Sequence, residues 1–487
     1  MIPMTLPEIA AVVGGTVHDD PGVTVTGPAF IDTRRPEPGG LFAAYDGERV
    51  DGHDFAGTAI DLGAAAVLGT RTTGLPTVLV EDPTAALARL ARHVLDRLED
   101  VRVVAVTGSQ GKTSAKDLLT QVLAHAGSTV ATHGSLNNEI GLPVTVLRAD
   151  RDTRFLVLEM GARGIGHLRD LCAVARPHVS LVLNVGKAHL GEFGSQEAIA
   201  QAKGEIVDAL DADGVAVLNA DDPLVRAMAD RSRGRVLLFG ESTDADVRLT
   251  DLHLGPDGRP RFALTAGGRT APVALQLLGE HQAVNAAAAT AVGLALGLDL
   301  DDLAGALGQA TATSRWRMEL HERADGVTVV NDAYNANPDS MRAALKALAA
   351  LGRGRGAGTR TVAVLGEMRE LGESSLAEHD AVGRLAVRLD ISKLLVVGEE
   401  ARAIHLGASL EGSWGEESVF VPDRDAAVAW LRANLESGDV VLFKASRAAE
   451  LERVADAVLA DTGLADTVLA DTTDVPADES PEREHDR

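Results

Sequence analysis

The chain has 487 residues, 45% hydrophobic and 24% charged, enough apolar material for about three domains, which excludes a wholly disordered chain. Net charge is −25, from 46 basic and 71 acidic residues, and aromatics are only 3%. Such a surface repels phosphodiester backbones and offers few stacking platforms, so nucleic acid is not an expected partner.

The single cysteine, Cys172, allows neither an internal disulfide nor a cysteine zinc site. Met1-Ile2-Pro3-Met4-Thr5 has no basic region followed by a long apolar run, and the Ala/Leu stretch at 283–298 is too short to span a bilayer. The expectation is a cytoplasmic protein with no membrane insertion.

In chain order, residues 1–100 mix short strand-like runs at 41–45 and 77–80 with a helix carrying Leu87, Leu90, Ala91, Val94 and Leu95 at helical spacing. Residues 101–313 change character. Apolar, mostly β-branched runs at 101–106, 155–158, 180–183 and 214–218 each end in a polar residue, with helical patterns between them. That alternation predicts a mostly parallel sheet covered on both faces, with ligands at the carboxyl ends of its strands. Residues 314–462 repeat the pattern in a smaller α/β unit, with runs at 327–330, 361–365, 393–397, 418–421 and 440–443. The Gly/Arg-rich segment 352–359 reads as an exposed loop between a helix and a strand. Beyond 462, a Leu-Ala-Asp-Thr repeat and an acid-rich end predict a disordered tail, 463–487.

The strongest local signal is Thr107-Gly108-Ser109-Gln110-Gly111-Lys112-Thr113-Ser114, between a predicted strand and a helix bearing Leu118, Leu119, Val122, Leu123 and Ala126 on one face. Glycines there let backbone N–H groups turn onto phosphate, Lys112 reaches the β/γ-phosphates, and Thr113 offers a hydroxyl to Mg²⁺. Position 106, where a Walker loop carries its first Gly, is Val. Glu159 ends the 155–158 run, where a carboxylate suits Mg²⁺ or water positioning, or else caps a helix. His189 comes after the 180–183 strand, and Lys203 reads on its own as a helix-surface lysine. No His-Glu-x-x-His, Gly-x-Ser-x-Gly or EF-hand loop occurs, and no Gly-x-Gly-x-x-Gly succeeds a strand.

Further tracts are Asn137-Asn138-Glu139-Ile140-Gly141-Leu142-Pro143, Glu159-Met160-Gly161-Ala162, Ala188-His189-Leu190-Gly191-Glu192-Phe193-Gly194-Ser195, Lys203-Gly204-Glu205-Ile206 and Gly279-Glu280-His281-Gln282-Ala283-Val284-Asn285. With the phosphate loop they resemble the Mur ligase family, ATP-dependent amide-forming enzymes of peptidoglycan synthesis, over about residues 25–455. The family's loop has the compressed form Thr-Gly-x-x-Gly-Lys-Thr-[Ser/Thr], which accounts for Val106. The tracts Asn331-Asp332-Ala333-Tyr334-Asn335-Ala336-Asn337-Pro338-Asp339-Ser340-Met341 and Leu365-Gly366-Glu367-Met368-Arg369-Glu370-Leu371-Gly372 resemble the branch that adds D-alanyl-D-alanine. The Asp-Asn-Pro-Arg motif of the diaminopimelate-adding member is not found. Ser135 stands where many relatives carry Asn.

The resemblance implies a three-domain α/β architecture. A UDP-sugar-binding domain (1–100) precedes a central P-loop ATPase domain (101–313) and a Rossmann-like domain (314–462). The implied substrates are UDP-N-acetylmuramoyl-tripeptide and D-alanyl-D-alanine, joined through an acyl phosphate with ATP and Mg²⁺ by a monomer. By resemblance, Gly108 to Ser114 hold the phosphates, and His281, Asn285, Arg317 and Asp332 contact the nucleotide. Thr113 and Glu159 serve one Mg²⁺. His189 and Lys203 serve a second, the lysine through a carbamate as in relatives. Asp32, Thr33 and Arg34 would meet the UDP end, Asn138 the substrate or phosphate region, and Asn335 and Asn337 the dipeptide, with Ser446 and Arg447 as further candidates. Another amide ligase of the superfamily, such as a different Mur ligase or a folylpolyglutamate synthase, or a P-loop ATPase switch, are the competing readings.

Overall fold

The computed structural model describes residues 1–47, 50–186, 190–412 and 417–461. His189 and the tail 463–487 lie outside the described residues.

A nine-stranded sheet forms the centre, in the order Arg269–Ala274, Pro260–Ala266, Val247–Leu254, Arg235–Gly240, Val215–Asn219, Val179–Val182, Arg102–Thr107, Phe155–Glu159, Thr129–Ala131. The first three of these pair antiparallel as a meander, and from Val247–Leu254 onward every neighbouring pair is parallel. The four runs expected as parallel strands sit side by side in it. Their side chains alternate between two cores: Val103, Ala105, Leu156 and Leu158 enter one, and Val104, Val106, Phe155 and Val157 enter the other. A strand buried on both faces needs apolar residues at every position, which is why these runs show no polar alternation.

The second helix-rich layer comes from the first domain. Asp82 caps the helix Pro83–Asp96, accepting from the N–H of Thr84 and Ala85. Its buried face (Leu87, Leu90, Ala91, Val94, Leu95) is the one its spacing predicts. That face belongs to the same apolar core as Val103 and Leu156 of the central sheet. The first domain adds its own five-stranded sheet, Thr16–His18, Thr77–Leu79, Ala66–Gly69, Leu41–Ala43, Ala29–Phe30.

The third sheet has six strands, Glu319–Glu322, Thr328–Asn331, Val440–Lys444, Thr361–Leu365, Lys393–Val397, Ser418–Val421, all parallel except the first. One correction concerns segment 352–359. The helix Pro338–Arg355 continues through Gly352 and Gly354, and the loop begins only at Gly356. A Cβ at Gly352 would lie 2.4 Å from Thr361 Cγ2, and one at Gly354 2.3 Å from the carbonyl oxygen of Pro256. These glycines are there for close packing, not to break the helix. The strands between 235 and 274 were not singled out by the sequence patterns. Among the described residues no helix is long and apolar enough to cross a membrane.

Candidate functional site

The carboxyl ends of the central strands face the carboxyl ends of three adjacent third-sheet strands across one cleft of about 710 Å³. Ser109 to Ser114, Asn138, Glu159, Lys203, His281, Asn285, Arg317, Asp332, Asn335 and Asn337 all line it. Asp32, Thr33 and Arg34 do not. Arg34 instead lies against Asp32, its Nη2 2.9 Å from Oδ2, on the first domain.

The phosphate loop begins where the strand Arg102–Thr107 ends and opens the helix Lys112–Ala124. Gly111 takes the left-handed conformation (φ +78°), and a Cβ there would sit 3.0 Å from Asn285 Oδ1, so only glycine lets the loop turn against that side chain. Asn184, at the end of the neighbouring strand, accepts from the N–H of Ser109 and of Gln110 at 3.0 Å each and donates to Gln110 O at 3.2 Å. The helix's first i→i−4 bond runs from Ala115 N to Gly111 O. The amides of Lys112, Thr113 and Ser114 therefore precede the helical ladder and carry the partial positive charge of its N-terminus. Lys112 Nζ donates to Gly108 O at 2.7 Å. Burial pushes its ammonium below the ordinary lysine value; Glu159 opposes the shift and Arg317 adds to it.

Glu159 is 3% exposed. Its Oε2 accepts from Thr113 Oγ1 at 2.9 Å and its Oε1 from Asn137 Nδ2 at 2.8 Å. Its backbone N–H donates to Thr132 Oγ1 at 3.0 Å. The carboxylate is thus held over the loop from the helix start at Thr113 and from Asn137. Asn138 uses its Oδ1 to accept from Gly141 N at 2.9 Å, starting the helix Gly141–Val146. Lys203, 4% exposed on the helix Gln196–Asp208, is no surface residue. Burial pushes its ammonium well below the ordinary lysine value, and the like charge of Lys112 adds to the shift.

The third domain approaches from the other side. Trp316 and Met318 both adopt positive φ (+59° and +53°), a strained pair for bulky residues. Three hydrogen bonds hold it: Trp316 N to Glu319 Oε2 at 2.9 Å, Met318 N to Asp332 Oδ1 at 3.2 Å, and Tyr334 N to Trp316 O at 3.2 Å. The strain presents Arg317 to the cleft, with its guanidinium 4.2 Å over the Tyr334 ring. Asp332 also accepts from Lys444 Nζ at 2.6 Å, and Lys444 donates to Asn335 O at 3.0 Å. Asn337 caps the helix Pro338–Arg355 in a reciprocal box with Ser340. His281 opens the helix His281–Ala295. Burial lowers its pKa, with Asp332 opposing and Lys444 adding to the shift.

Asn137, Asn184, Tyr334, Arg369 and Lys444 also line the cleft. They stand inside or beside tracts already noted, but a polar residue at a strand end carries no mark of which carboxylate or loop it will hold.

The segments around this cleft match known families. Residues 29–94 match the model of the Mur ligase family catalytic domain, 106–293 that of the Mur ligase middle domain, and 316–447 that of the Mur ligase glutamate ligase domain. The chain is 47% identical to the UDP-N-acetylmuramoyl-tripeptide--D-alanyl-D-alanine ligase of Mycobacterium tuberculosis, covering 94% of the chain and 98% of the relative. It is 35% identical to the Escherichia coli enzyme of the same name, over 94% and 99%. The crystal structure of MurF from Acinetobacter baumannii superposes with a TM-score of 0.83 at 30% identity, over 94% and 99% of the two chains. MurF ligase from Thermotoga maritima, solved in complex with ADP, gives 0.75 at 33%, over 90% and 98%. With three family segments in order and relatives of this identity along nearly its whole length, the chain belongs to the Mur ligase family.

Proposed function

We propose that this protein is an ATP-dependent amide ligase that joins D-alanyl-D-alanine to UDP-N-acetylmuramoyl-tripeptide, a cytoplasmic step of peptidoglycan synthesis. The observation that carries the reading is the pairing across one cleft of a phosphate loop, with its Thr113–Glu159 hydrogen bond, and the third-domain loops around Asn335, Arg369 and Ser446. A switch ATPase needs the first half alone. A ligase needs both, because phosphoryl transfer and amide formation occur on one carbonyl group.

A carboxylate resists attack by an amine because its carbon is a poor electrophile. One of its oxygens therefore attacks the γ-phosphorus of ATP, the bond to the bridging oxygen breaks, and ADP leaves. The dipeptide's neutral amine then attacks the acyl carbon, the amine proton is lost, and the C–O bond to phosphate breaks. Bringing two anions together is the electrostatic problem, and Lys112, the loop amides and Arg317, which border the same cleft, would neutralise the transferring oxygens.

Mg²⁺ fits the donors present. Thr113 and Glu159 supply hard oxygens, and among the described residues no group of three or more His, Cys, Asp or Glu side chains could hold a metal ion alone. That suits an ion carried on nucleotide phosphates and needing only two protein oxygens. Held by Thr113 and Glu159, it would supply positive charge to neutralise the nucleotide's phosphate oxygens. His189 and Lys203 would serve a second ion. A lysine cation cannot bind metal, but burial lowers the pKa of this amine and so favours its neutral form, whose Nζ can add to CO₂ with loss of a proton, leaving an anionic carbamate. His281 and Asn285 would meet the adenine end, and Asp332, which accepts from Met318 N, would contact the nucleotide beside Arg317. Asp32, Thr33 and Arg34 would take the UDP end, Asn138 the tripeptide, and Asn335 and Asn337 the dipeptide.

The test is phosphate release by purified protein with ATP and Mg²⁺. Release should require both UDP-N-acetylmuramoyl-tripeptide and D-alanyl-D-alanine. Brisk release with neither would overturn the ligase reading in favour of a hydrolase, and release with glutamate in place of the dipeptide would move the chain elsewhere in the superfamily.

A further inference from the structure

We propose that Glu139 and Arg163 select the tripeptide's third residue by its side chain, an inference that rests on the ligase reading above. They favour a side chain ending in both an ammonium and a carboxylate, as 2,6-diaminopimelate does, over lysine, which ends in an ammonium alone. The carboxylate beside that residue's peptide nitrogen is the one to be phosphorylated. Its side chain must therefore project from the reacting centre onto a wall of the cleft, and the charge on that wall decides which side chain is accepted.

Two segments build the wall. Gly161 N donates to Asn137 O at 2.9 Å, and Asn137 also holds Glu159. A Cβ at Gly161 would lie 3.1 Å from Asn137 Oδ1, so glycine lets the segments close. Glu139, next to Asn138, is thereby set opposite Arg163, just past Glu159, with Arg163 Nη1 3.8 Å from Glu139 Oε1. His167 Nδ1 accepts from Arg163 N at 3.2 Å, so the ring proton sits on Nε2, which donates to Glu139 Oε2 at 3.2 Å. Gly166 N and Arg169 N both donate to Glu205, which braces the far end of the loop. Asn138, Arg163 and His167 line the cleft. On its other side Glu139 adjoins the first domain: burial pushes the Tyr45 hydroxyl up to about 12, and the charges of Asp82 and Glu139 add to the shift. The pair thus stands between the first domain, which would hold the UDP end, and the reacting centre.

At 3.8 Å the two charges attract without making a hydrogen bond, and their side chains stay 67% (Arg163) and 46% (Glu139) exposed. Among the described residues the Arg163 guanidinium donates to nothing, so its planar N–H pairs are open to a carboxylate. Glu139 stays an anion: a bond from its own backbone N–H, with His167 and Arg163 nearby, holds its carboxyl below the ordinary value. Its Oε1 can take an ammonium while Arg163 takes a carboxylate on the same carbon atom. A lysine ammonium would meet Glu139 too, but also the like charge of Arg163, with no carboxylate to offset it. Among the described residues lining the cleft, Arg163 is the central domain's one arginine, while Lys112 is held by Gly108 O and Lys203 is buried.

The experiment compares UDP-N-acetylmuramoyl-tripeptides ending in meso-diaminopimelate and in lysine, with ATP, Mg²⁺ and D-alanyl-D-alanine, on the full-length protein. The wild type should prefer diaminopimelate at least about 10-fold in kcat/KM, the range expected for one charge-assisted contact. In Arg163→Ala the loss with diaminopimelate should exceed the loss with lysine by about 10-fold, mainly through KM of the tripeptide, because only the first carries the carboxylate. Arg163→Lys, which keeps the charge, should retain part of the preference. Glu139→Gln should weaken both tripeptides, since both carry the ammonium. A wild type that treats the two alike or prefers lysine would overturn the assignment. So would an Arg163→Ala that lowers both equally, or a Glu139→Gln that changes neither. A wild type that releases phosphate with neither tripeptide would instead overturn the ligase reading.

Discussion

Lys112 and Glu159 illustrate how far single residues could be read. Both were legible because their chemistry is tied to local context: a lysine inside a glycine loop between strand and helix, and a carboxylate at the end of a buried run. What holds them was not legible. Asn137 bonds Glu159 at 2.8 Å across 22 positions of chain, and Asn184 bonds the loop across 74 and 75. Lys203 is the sharpest case, since a lysine in a helical pattern reads as solvated and here is buried beside another cation. At this scale the prediction is that Lys112→Ala loses at least about 100-fold in substrate-dependent phosphate release, the cost typical of removing a preorganised charge stabiliser. Near-normal turnover would remove the phosphate-loop assignment.

Among elements, those whose apolar pattern matches their burial were readable. The runs 361–365, 393–397 and 418–421 coincide with the strands formed. The helix Pro338–Arg355 was misjudged at its end because glycine signals a break unless a neighbour demands its small size, and the neighbours, Thr361 and Pro256, are distant in the fold's logic though one is near in sequence. Propensity alone would make Gly352→Ala stabilising by about 1 kcal/mol. The 2.4 Å approach to Thr361 Cγ2 reverses the sign, with overpacking costing about 1–3 kcal/mol. Denaturant unfolding should show a lower midpoint for Gly352→Ala; an unchanged or higher midpoint would mean the helix shifts freely and the glycine is not a packing requirement.

For the whole molecule, the apolar cores mark out two bodies. One core runs from Met1 through the helix Pro83–Asp96 into the central sheet as far as Met228, so the first two domains share it. The third domain has cores of its own, which among the described residues receive only Leu278 from the central domain; the two domains otherwise meet across the polar cleft and at local contacts such as Gly354 with Pro256 and Gly191 N with Glu370 O. Calorimetry should therefore resolve two transitions, with ATP and Mg²⁺ raising the lower one, because a ligand held by both faces stabilises the pair. Cys172 supplies an independent marker. It lies in the shared core, and burial pushes its thiol up to about 12, so a thiol reagent at pH 8 should label it only in the transition of the first two domains. Labelling in the native state, or a single transition unmoved by nucleotide, would contradict this division.

The sequence by itself determined the class of fold, the phosphate loop and the family, since strand-and-helix periodicity and glycine spacing act over a few residues and persist in any arrangement of the chain. It also set the acidic average of −25, against which a few cations must act. Only the tertiary structure decided which of those cations face one cleft and that Lys203 is buried. Those outcomes depend on contacts between strand ends far apart in the chain, where burial and neighbouring charge, not residue type, set what a side chain does.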